Sequence, residues 1–494
     1  MMILGISSVK TSAQKSKKRP NIVVILSDDV GFEEYGIYKV KKGEKSNTPI
    51  IDKLGEEGVA FKTAYAQSIC GPSRAMLYSG TYAATNGAYD NKVFYDPTKK
   101  NKDKFANFVR ILHDAGYKTA VSGKWHNPIG GTLGVDNKLL GVDQYMVYNS
   151  MPASVKKITG DVLTPNKDWE IAAISKQPIL SRYWRPAYVK DGKLLETTMD
   201  DYGPDLLSDY ICDFIKDNAN SDQPFLAFYP MVLAHSSHCV TPIDVAEGME
   251  KSNFNHRHRT EMGQKIFKNQ IKYADNLVGK ILKTIKKAGI EDETIVIYTS
   301  DNGTTSSAKS KGVEYGVHIP FMVKGPSIKK RGLTDELIDF ADVLPTLADF
   351  ANTTIPSKYK VDGKSAVPFL TGKSDTTKEV IYAQPGIASI VRTKEYLLEA
   401  VCPLYGYPKG RFYKTNGSYD GRGYENITNN TNYTTQRSAF EDYLDFMSSK
   451  LPTSFEDPLW KGKLKRGFKH FNSKQQRRSH LKLPMNYQFY DPSF

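Results

Sequence analysis

The sequence predicts an α/β fold in which helices cover a mainly parallel sheet. Short continuous apolar runs at residues 21–26, 225–229 and 294–299 are typical of strands buried on both faces of such a sheet. Residues 263–289 repeat apolar side chains every three or four positions, which predicts an amphipathic helix packed on the sheet. Of the 494 residues, 39% are hydrophobic and 25% are charged, so the chain is globular in composition and can bury a large core.

Acidic and amide side chains directly follow two of these predicted strands. Asp28 and Asp29 come after the run 21–26, and Asp301 and Asn302 follow the run 294–299. Because open α/β sheets bind ligands at the carboxyl ends of their strands, we expect these strands to be neighbours and their polar ends to converge. Adjacent carboxylates repel each other unless a cation lies between them, which favours a divalent-ion site. A solvated Asp-Asp turn is the common alternative.

Basic and imidazole side chains follow two more predicted strands. Residues 118–122 lead to Lys124 and His126, and residues 225–229 lead to His235 and His238. Taken singly, such residues are more often an exposed charge or a loop histidine with a structural partner. The His-x-x-His spacing of His235 and His238 is weak evidence for zinc, because no third ligand accompanies it.

The most specific stretch of the chain runs from Cys70 to Gly80. Its Gly71-Pro72 pair predicts a tight turn that opens a helix, which places Cys70 at the helix N-terminus. Free N–H groups and the helix dipole favour a bound anion or a developing negative charge at such an end. The alternative is that Cys70 is an ordinary buried thiol, since free cysteines are usually buried.

The net charge of +14 suits a polyanionic partner. Nucleic acid is the weakest candidate, because the sequence contains no helix-turn-helix, zinc-finger or RNA-binding pattern. No apolar run approaches the ~18 residues of a membrane span. The other cysteines, Cys212, Cys239 and Cys402, predict neither a disulfide framework nor a CxxC metal site.

Residues 70–80 contain Cys-x-Pro-Ser-Arg followed by Leu-x-Ser-Gly, which resembles the defining element of the type I sulfatases of the alkaline-phosphatase-like superfamily. Asp-Asp-x-Gly at 28–31 and Gly-Lys-Trp-His at 123–126 are similar to two further motifs of that family. The resemblance implies that a formylglycine-generating enzyme oxidises Cys70 to formylglycine (3-oxoalanine). The hydrated aldehyde would be the nucleophile, and its second hydroxyl would allow sulfate to be expelled.

The resemblance also implies one divalent cation. Calcium is favoured over magnesium because the ligands are all oxygens in an irregular arrangement. The ligands would be Asp28, Asp29, Asp301, Asn302 and the modified Cys70.

Further roles follow from the same resemblance. Arg74 would orient the modified Cys70, and His126 would orient the nucleophile and help to remove its proton. His235 matches the general acid of the family and would protonate the departing alcohol, whereas His238 would have no such role.

The remaining implied roles concern substrate binding. Lys124 and Lys309 would bind the sulfate oxygens, with Lys311 as the alternative to Lys309. His318 stands where the family has an arginine, and it would belong to substrate recognition together with His235.

The fold implied by the resemblance is a large mixed, mainly parallel sheet between helices, with a smaller C-terminal α+β subdomain on a short antiparallel sheet. Residues 1–19 would be a signal-peptide remnant or linker, 20–375 the catalytic domain and 376–494 the C-terminal subdomain. Strands are expected at 380–383, 389–392 and 396–401. Residues 150–205 are predicted to be an insertion that helps to form the substrate cleft. The basic tail at 460–480 favours a solvated helix over a polyanion-binding rim.

The predicted function is hydrolysis of sulfate esters on a polysaccharide or oligosaccharide by an enzyme that is exported to the periplasm or the extracellular space. The alternatives are a phosphate or phosphonate ester hydrolase of the same superfamily, and an inactive scaffold that binds sulfated glycans.

Overall fold

The computed structural model describes most of the chain between residues 19 and 449. The described residues are 19–40, 47–88, 91, 105–126, 133–134, 137–148, 182–236, 238–251, 254–255, 260–303, 308–309, 312–384, 388–401 and 410–449. The predictions for residues 1–18, for Lys311, for Cys402, for the basic tail at 460–480 and for most of the insertion at 150–205 therefore fall outside the described residues.

The main sheet has ten strands in the order β12-β2-β11-β10-β1-β7-β3-β4-β5-β6. Its strands are β1 Asn21–Ser27, β2 Val59–Tyr65, β3 Lys118–Gly123, β4 Gln144–Tyr148, β5 Tyr188–Lys190, β6 Lys193–Leu194, β7 Phe225–Pro230, β10 Thr294–Ser300, β11 Phe321–Lys324 and β12 Gly332–Asp339. Between them, β8 His238–Cys239 and β9 Phe254–Asn255 form a separate pair. The centre of the sheet is parallel, because β1 pairs in parallel with β10 and β7, and β3 with β7 and β4.

Helices cover both faces of this sheet. The described helices are α1 Pro49–Glu57, α2 Cys70–Ser79, α3 Ala83–Asn86, α4 Phe108–Asp114, α5 Asn137–Leu140, α6 Gly203–Asn218, α7 Pro242–Ala246, α8 Glu261–Lys287, α9 Glu314–Val317, α10 Val343–Phe350, α11 Val367–Leu370 and α12 Thr434–Ser449. On one face α8 packs against α1 and α6, and on the other α10 packs against α2 and α4. No helix of the described residues is both long and apolar enough to cross a membrane.

Strand β1 explains why a continuous apolar run predicts a central strand. Ile22, Val24 and Leu26 belong to the core under α2 and α10, whereas Val23 and Ile25 belong to the core under α6 and α8. Successive side chains point to opposite faces of a strand, so both sets must be apolar when both faces are covered.

A second, smaller sheet follows in the C-terminal part. It is antiparallel, in the order β13-β14-β15-β16-β17, with strands β13 Ile381–Ala383, β14 Ser389–Arg392, β15 Tyr396–Val401, β16 Arg411–Lys414 and β17 Glu425–Asn426. Helix α12 packs against β14. The predicted fold class is confirmed, while the exact boundary at residue 375 stays a prediction.

Helix α4 begins at Phe108, although Phe105 before it also fits the helical spacing of the apolar residues Phe108, Val109 and Leu112. The side chain of Asn107 accepts a hydrogen bond from Val109 N and caps the first turn. A cap residue has extended backbone angles, so the helix starts after it.

Candidate active site

The site forms where β1 and β10 end side by side. Ser27 and Ser300 are register partners, so the acidic residues that follow both strands meet at one edge. Asp29 has a positive φ of 65°, and its N–H donates to Asp301 Oδ1 at 3.1 Å. The expected convergence of these strand ends is confirmed.

Two buried oxygens of this cluster accept no hydrogen bond from any described residue. They are Asp29 Oδ2 and Asn302 Oδ1. Asn302 Nδ2 donates to Asp29 Oδ1 at 2.9 Å, which fixes the orientation of the amide. Burial and the charge of Asp28 raise the pKa of Asp301 to about 8. Buried oxygens without hydrogen-bond donors, beside several carboxylates, are features of a site for a hard cation, so the residues present fit a divalent ion.

Asp28 belongs to the same cluster of buried acidic and amide side chains. Atoms of Asp28, Asp29 and His235 lie within 4.8 Å of one another. Burial disfavours the charged form of Asp28, but Lys124, His235 and Arg74 outweigh it and hold the pKa of Asp28 well below its usual value. This carboxyl group is therefore ionised.

Cys70 is the first residue of α2, as the sequence predicted, and it is buried. Asn91 fixes this end of the helix, because its Oδ1 accepts from Gly71 N at 2.8 Å and its Nδ2 lies 3.5 Å from Cys70 Sγ. Burial opposes ionisation of the thiol, yet Lys124, His126 and Lys309 hold the pKa of Cys70 well below its usual value. Negative charge on this side chain is stabilised from several directions.

Arg74 connects the helix to two strand ends. The side chain is completely buried, and its Nε and Nη2 donate to Asp301 Oδ2 at 3.0 and 2.8 Å. Its Nη1 donates to the carbonyl of Lys124. A buried guanidinium is stable only when it is paired in this way, so Arg74 fixes α2 against β10 and the end of β3.

Lys124 reaches the site because β3 and β7 approach closely at their ends. Lys124 N donates to Pro230 O at 2.7 Å, and Gly123 has a φ of 132° with no room for a Cβ beside that same carbonyl. The ammonium group then lies 2.7 and 3.0 Å from the two oxygens of Asp28. His126 has a φ of 42°, and its buried Nδ1 has no hydrogen-bond partner among the described residues.

Lys309 and His235 approach Asp29 from separate loops. Lys309 forms an ion pair with Asp29 Oδ1, and His235 Nε2 lies 3.6 Å from Asp29 Oδ2. Tyr183 supports the histidine loop, since its hydroxyl donates to His235 O at 2.6 Å. The structure thus brings together every predicted residue of the site except His318.

The expectation that His318 contacts substrate requires correction. The ring is completely buried, stacked on Phe32 with centroids 3.5 Å apart, and its Nε2 bonds to Lys62 O at 2.8 Å. Burial and Arg392 hold the pKa of His318 well below its usual value. The ring is a packed, neutral core group that a substrate cannot reach. His238 is also structural, with its Nδ1 bonded to Gln270 Oε1 at 2.9 Å.

Comparison with known proteins identifies the family. A family model described as "Sulfatase" matches residues 20–353. The chain belongs to the sulfatase family.

The sulfatase is therefore a sulfuric ester hydrolase, and named relatives agree with this. It is 28% identical to a "Sulfatase" of Formosa agariphila, with 87% of each chain covered. It is 27% identical to an "Ulvan-active sulfatase" of the same organism, with 80% of this chain and 64% of that protein covered. A crystal structure solved in complex with k-i-k-neocarrahexaose shares the fold, with a TM-score of 0.67, 21% identity, and coverage of 88% of this chain and 94% of that chain.

Proposed function

We propose that this sulfatase removes sulfate from a sulfated polysaccharide or oligosaccharide, with formylglycine derived from Cys70 as its nucleophile. The observation that carries the proposal is the position of Cys70, which opens α2 within the electrostatic reach of Lys124, His126 and Lys309. The net charge of +14 and the ulvan-active relative support a polyanionic glycan. Formylglycine would supply a hydroxyl for attack on sulfur and a second hydroxyl for the release of sulfate.

The proposed cation would be held by the oxygens of Asp28, Asp29, Asp301 and Asn302 together with the modified Cys70. The all-oxygen donor set favours calcium over magnesium. A bound divalent cation would neutralise negative charge beside the sulfate. Arg74, which is paired with Asp301, would hold α2 and the nucleophile in position beside these ligands.

Treatment with a chelator should remove the activity, and calcium should restore it better than magnesium. Elemental analysis of the active protein should find one divalent ion per chain. Asp29→Asn should lower this occupancy because it weakens a buried ligand, whereas Asp114→Asn, on an exposed carboxylate, should not. Full activity in the metal-free protein would contradict the proposed cation.

In the proposed mechanism Lys124 and Lys309 bind the sulfate oxygens. Each ammonium group lies beside a buried carboxylate, Lys124 by Asp28 and Lys309 by Asp29, at the edge of the sheet where the site forms. Fixed positive charge beside the transferred sulfate would stabilise the transition state more than mobile solvent can. His126 lies beside Cys70 and would help to remove the proton from the nucleophile.

Lys309→Ala should lower kcat/KM by roughly 100- to 1,000-fold, because one fixed cation beside the transferred sulfate is lost. Lys311→Ala is the matched control, and it should stay within about 3-fold of the parent protein. The two variants are compared on one sulfated oligosaccharide at a single salt concentration. If Lys311→Ala lowers kcat/KM more than Lys309→Ala does, Lys311 and not Lys309 binds the sulfate.

His235→Ala should lower turnover of a sugar sulfate by about 100- to 1,000-fold, because the departing sugar hydroxyl has a high pKa and needs a proton. Turnover of 4-nitrophenyl sulfate should fall far less, since nitrophenolate leaves without one. His113→Ala, which changes an exposed histidine, should affect neither substrate. Equal losses on both esters would rule out His235 as the general acid.

The proposed function is tested by a desulfation screen over defined sulfated oligosaccharides, with matched phosphate and phosphonate esters beside them. Release of sulfate from at least one oligosaccharide is expected. Faster hydrolysis of the phosphate or phosphonate esters would contradict the proposal and indicate a phosphate or phosphonate ester hydrolase. If protein that fully contains formylglycine binds the oligosaccharides without hydrolysing them, it would be a glycan-binding scaffold. Because polysaccharides do not cross membranes unaided, we also propose export, testable by fractionating the native cells.

A further inference from the structure

Arg182 lies at the same edge of the sheet as the catalytic residues, one strand further along. Strand β4 pairs in parallel with β3, with Val147 opposite Gly123, so Tyr148 ends its strand beside Lys124. The guanidinium carbon of Arg182 lies 4.9 Å from the centre of the Tyr148 ring. Burial, Lys124 and Arg182 all lower the pKa of His235, so the positive charge of Arg182 reaches the site.

Hydrogen bonds fix the chain at Arg182 and at the residue that follows it. Arg182 O accepts a hydrogen bond from Tyr188 OH at 2.6 Å. The next residue, Tyr183, donates to His235 O at 2.6 Å and to Val232 O at 3.2 Å. Arg182 is therefore held at a set distance from the proposed general acid, and it is not a freely moving surface residue.

The guanidinium has no anionic partner of its own among the described residues. Its Nη1 is buried without a hydrogen-bond partner, although the residue as a whole is partly exposed. By contrast, Arg74 and Arg392, which are completely buried, pair with Asp301 and Glu314. An unpaired, partly desolvated cation is unfavourable unless a ligand supplies the counter-charge.

The carboxylates of the site are within electrostatic reach of Arg182 but are occupied by other cations. Burial opposes the charge of Arg182, and Tyr148, Tyr183, Asp28 and Asp29 together raise its pKa above the usual value. Asp28 is bonded to Lys124, and Asp29 to Lys309. The positive charge of Arg182 thus adds to that of the site and attracts an anion from the cleft.

We propose that Arg182 binds a second oxyanion of the substrate, a carboxylate or a further sulfate, on the sugar that carries the cleaved sulfate or on the one linked to it. The inference rests on the proposed function, because it assumes a sulfated glycan in the cleft. The planar guanidinium matches both oxyanions, since each can accept two parallel N–H bonds. Arg182 would thereby select glycans with closely spaced charges.

The test compares Arg182→Met, which removes the charge but keeps a long side chain beside Tyr148, against the parent protein on two matched substrate pairs. One pair is a uronate-containing sulfated oligosaccharide and the same compound with its carboxylates reduced to alcohols. The other is a disulfated disaccharide and its monosulfated form. Loss confined to the first pair identifies a carboxylate as the ligand, and loss confined to the second pair identifies a sulfate.

Arg182→Met should raise KM by about 10- to 100-fold for the compounds with the second anion, with kcat nearly unchanged. The compounds without it should change by less than about 3-fold. Arg182→Lys should recover part of the loss, since a point charge replaces a bidentate donor. Arg110→Met, which breaks an exposed ion pair with Asp114, is the matched control and should behave as the parent protein.

Equal effects on both members of each pair, or no effect on any compound, would overturn the role of Arg182. Binding to the Cys70→Ala protein, measured by calorimetry with the same four compounds, separates this inference from the proposed function. Tighter binding of the compounds with two anions, lost in Cys70→Ala/Arg182→Met, supports the role of Arg182 even if no compound is hydrolysed. Absence of hydrolysis by formylglycine-containing parent protein would count against the proposed function alone.

Discussion

Replacing Cys70 with alanine should lower kcat/KM for a sulfated oligosaccharide by at least about 10⁵-fold, because the proposed nucleophile is lost. The thermal unfolding temperature should change little, since the thiol is small and its removal leaves no large cavity. Turnover and unfolding are measured on the same preparation. The size of this loss distinguishes Cys70 from the lysines and histidines around it, whose removal weakens a step without abolishing it.

Cys212→Ala is the matched control for this experiment. Cys212 is also a buried thiol, but it lies on α6, and burial raises its pKa above the usual value. It should therefore be neither modified nor required. Peptide mass spectrometry of the parent protein should show the aldehyde at residue 70 and an intact thiol at residue 212, and near-normal turnover by Cys70→Ala would refute the proposed nucleophile.

Arg392→Met should lower the free energy of unfolding by about 3–5 kcal/mol, the loss expected when one partner of a buried ion pair is removed. Arg392 on β14 is buried, and its Nη1 lies 2.6 Å from Glu314 Oε1. Its Nη2 donates to Ser418 O at 2.9 Å. The variant would leave the Glu314 carboxylate buried without its cation.

Arg110→Met provides the comparison, because its ion pair with Asp114 is exposed and should contribute less than about 1 kcal/mol. Unfolding is followed in denaturant by a far-ultraviolet signal. Arg392→Met/Glu314→Gln should recover part of the lost stability, since the second change removes the uncompensated charge. A single Arg392→Met effect as small as that of Arg110→Met would contradict the importance of this pair.

The same variant should also lower activity. Glu314 opens α9, and its N–H donates to Glu399 Oε2 at 2.7 Å on β15. Gly316 O in this helix accepts from Gly303 N at 3.0 Å, directly after the proposed ligand Asn302. The small antiparallel sheet thus supports one of the proposed cation ligands through α9.

The sequence indicates the site well where chemistry directly follows a buried strand. Asp28 and Asp301 are found this way, because continuous apolar runs mark central strands and central strands end at one edge. Cys70 and Lys124 are found because a contiguous motif carries them. In each case the informative residues are adjacent in the chain.

Residues that act through contacts between distant loops cannot be predicted from the sequence in this way. Asn91 fixes the start of α2 from twenty residues away, and Arg182 reaches the site from an irregular segment with no sequence pattern. For His318 the sequence predicted a role that the structure does not support. The resemblance aligned it with an arginine of the family and implied substrate binding, but in this chain the imidazole packs on the flat apolar surface of Phe32.

The close approach of Gly123 to Pro230 O has a consequence for redesigning this enzyme. Because no larger residue fits there, the ends of β3 and β7 are held close together, with Lys124 directly after one strand and His235 on the loop after the other. Attempts to retarget the protein to a new glycan should leave these strand ends unchanged and vary the segment around Arg182. Changes around Arg182 would then alter the choice of glycan, while the residues at the strand ends would preserve the rate of sulfate removal.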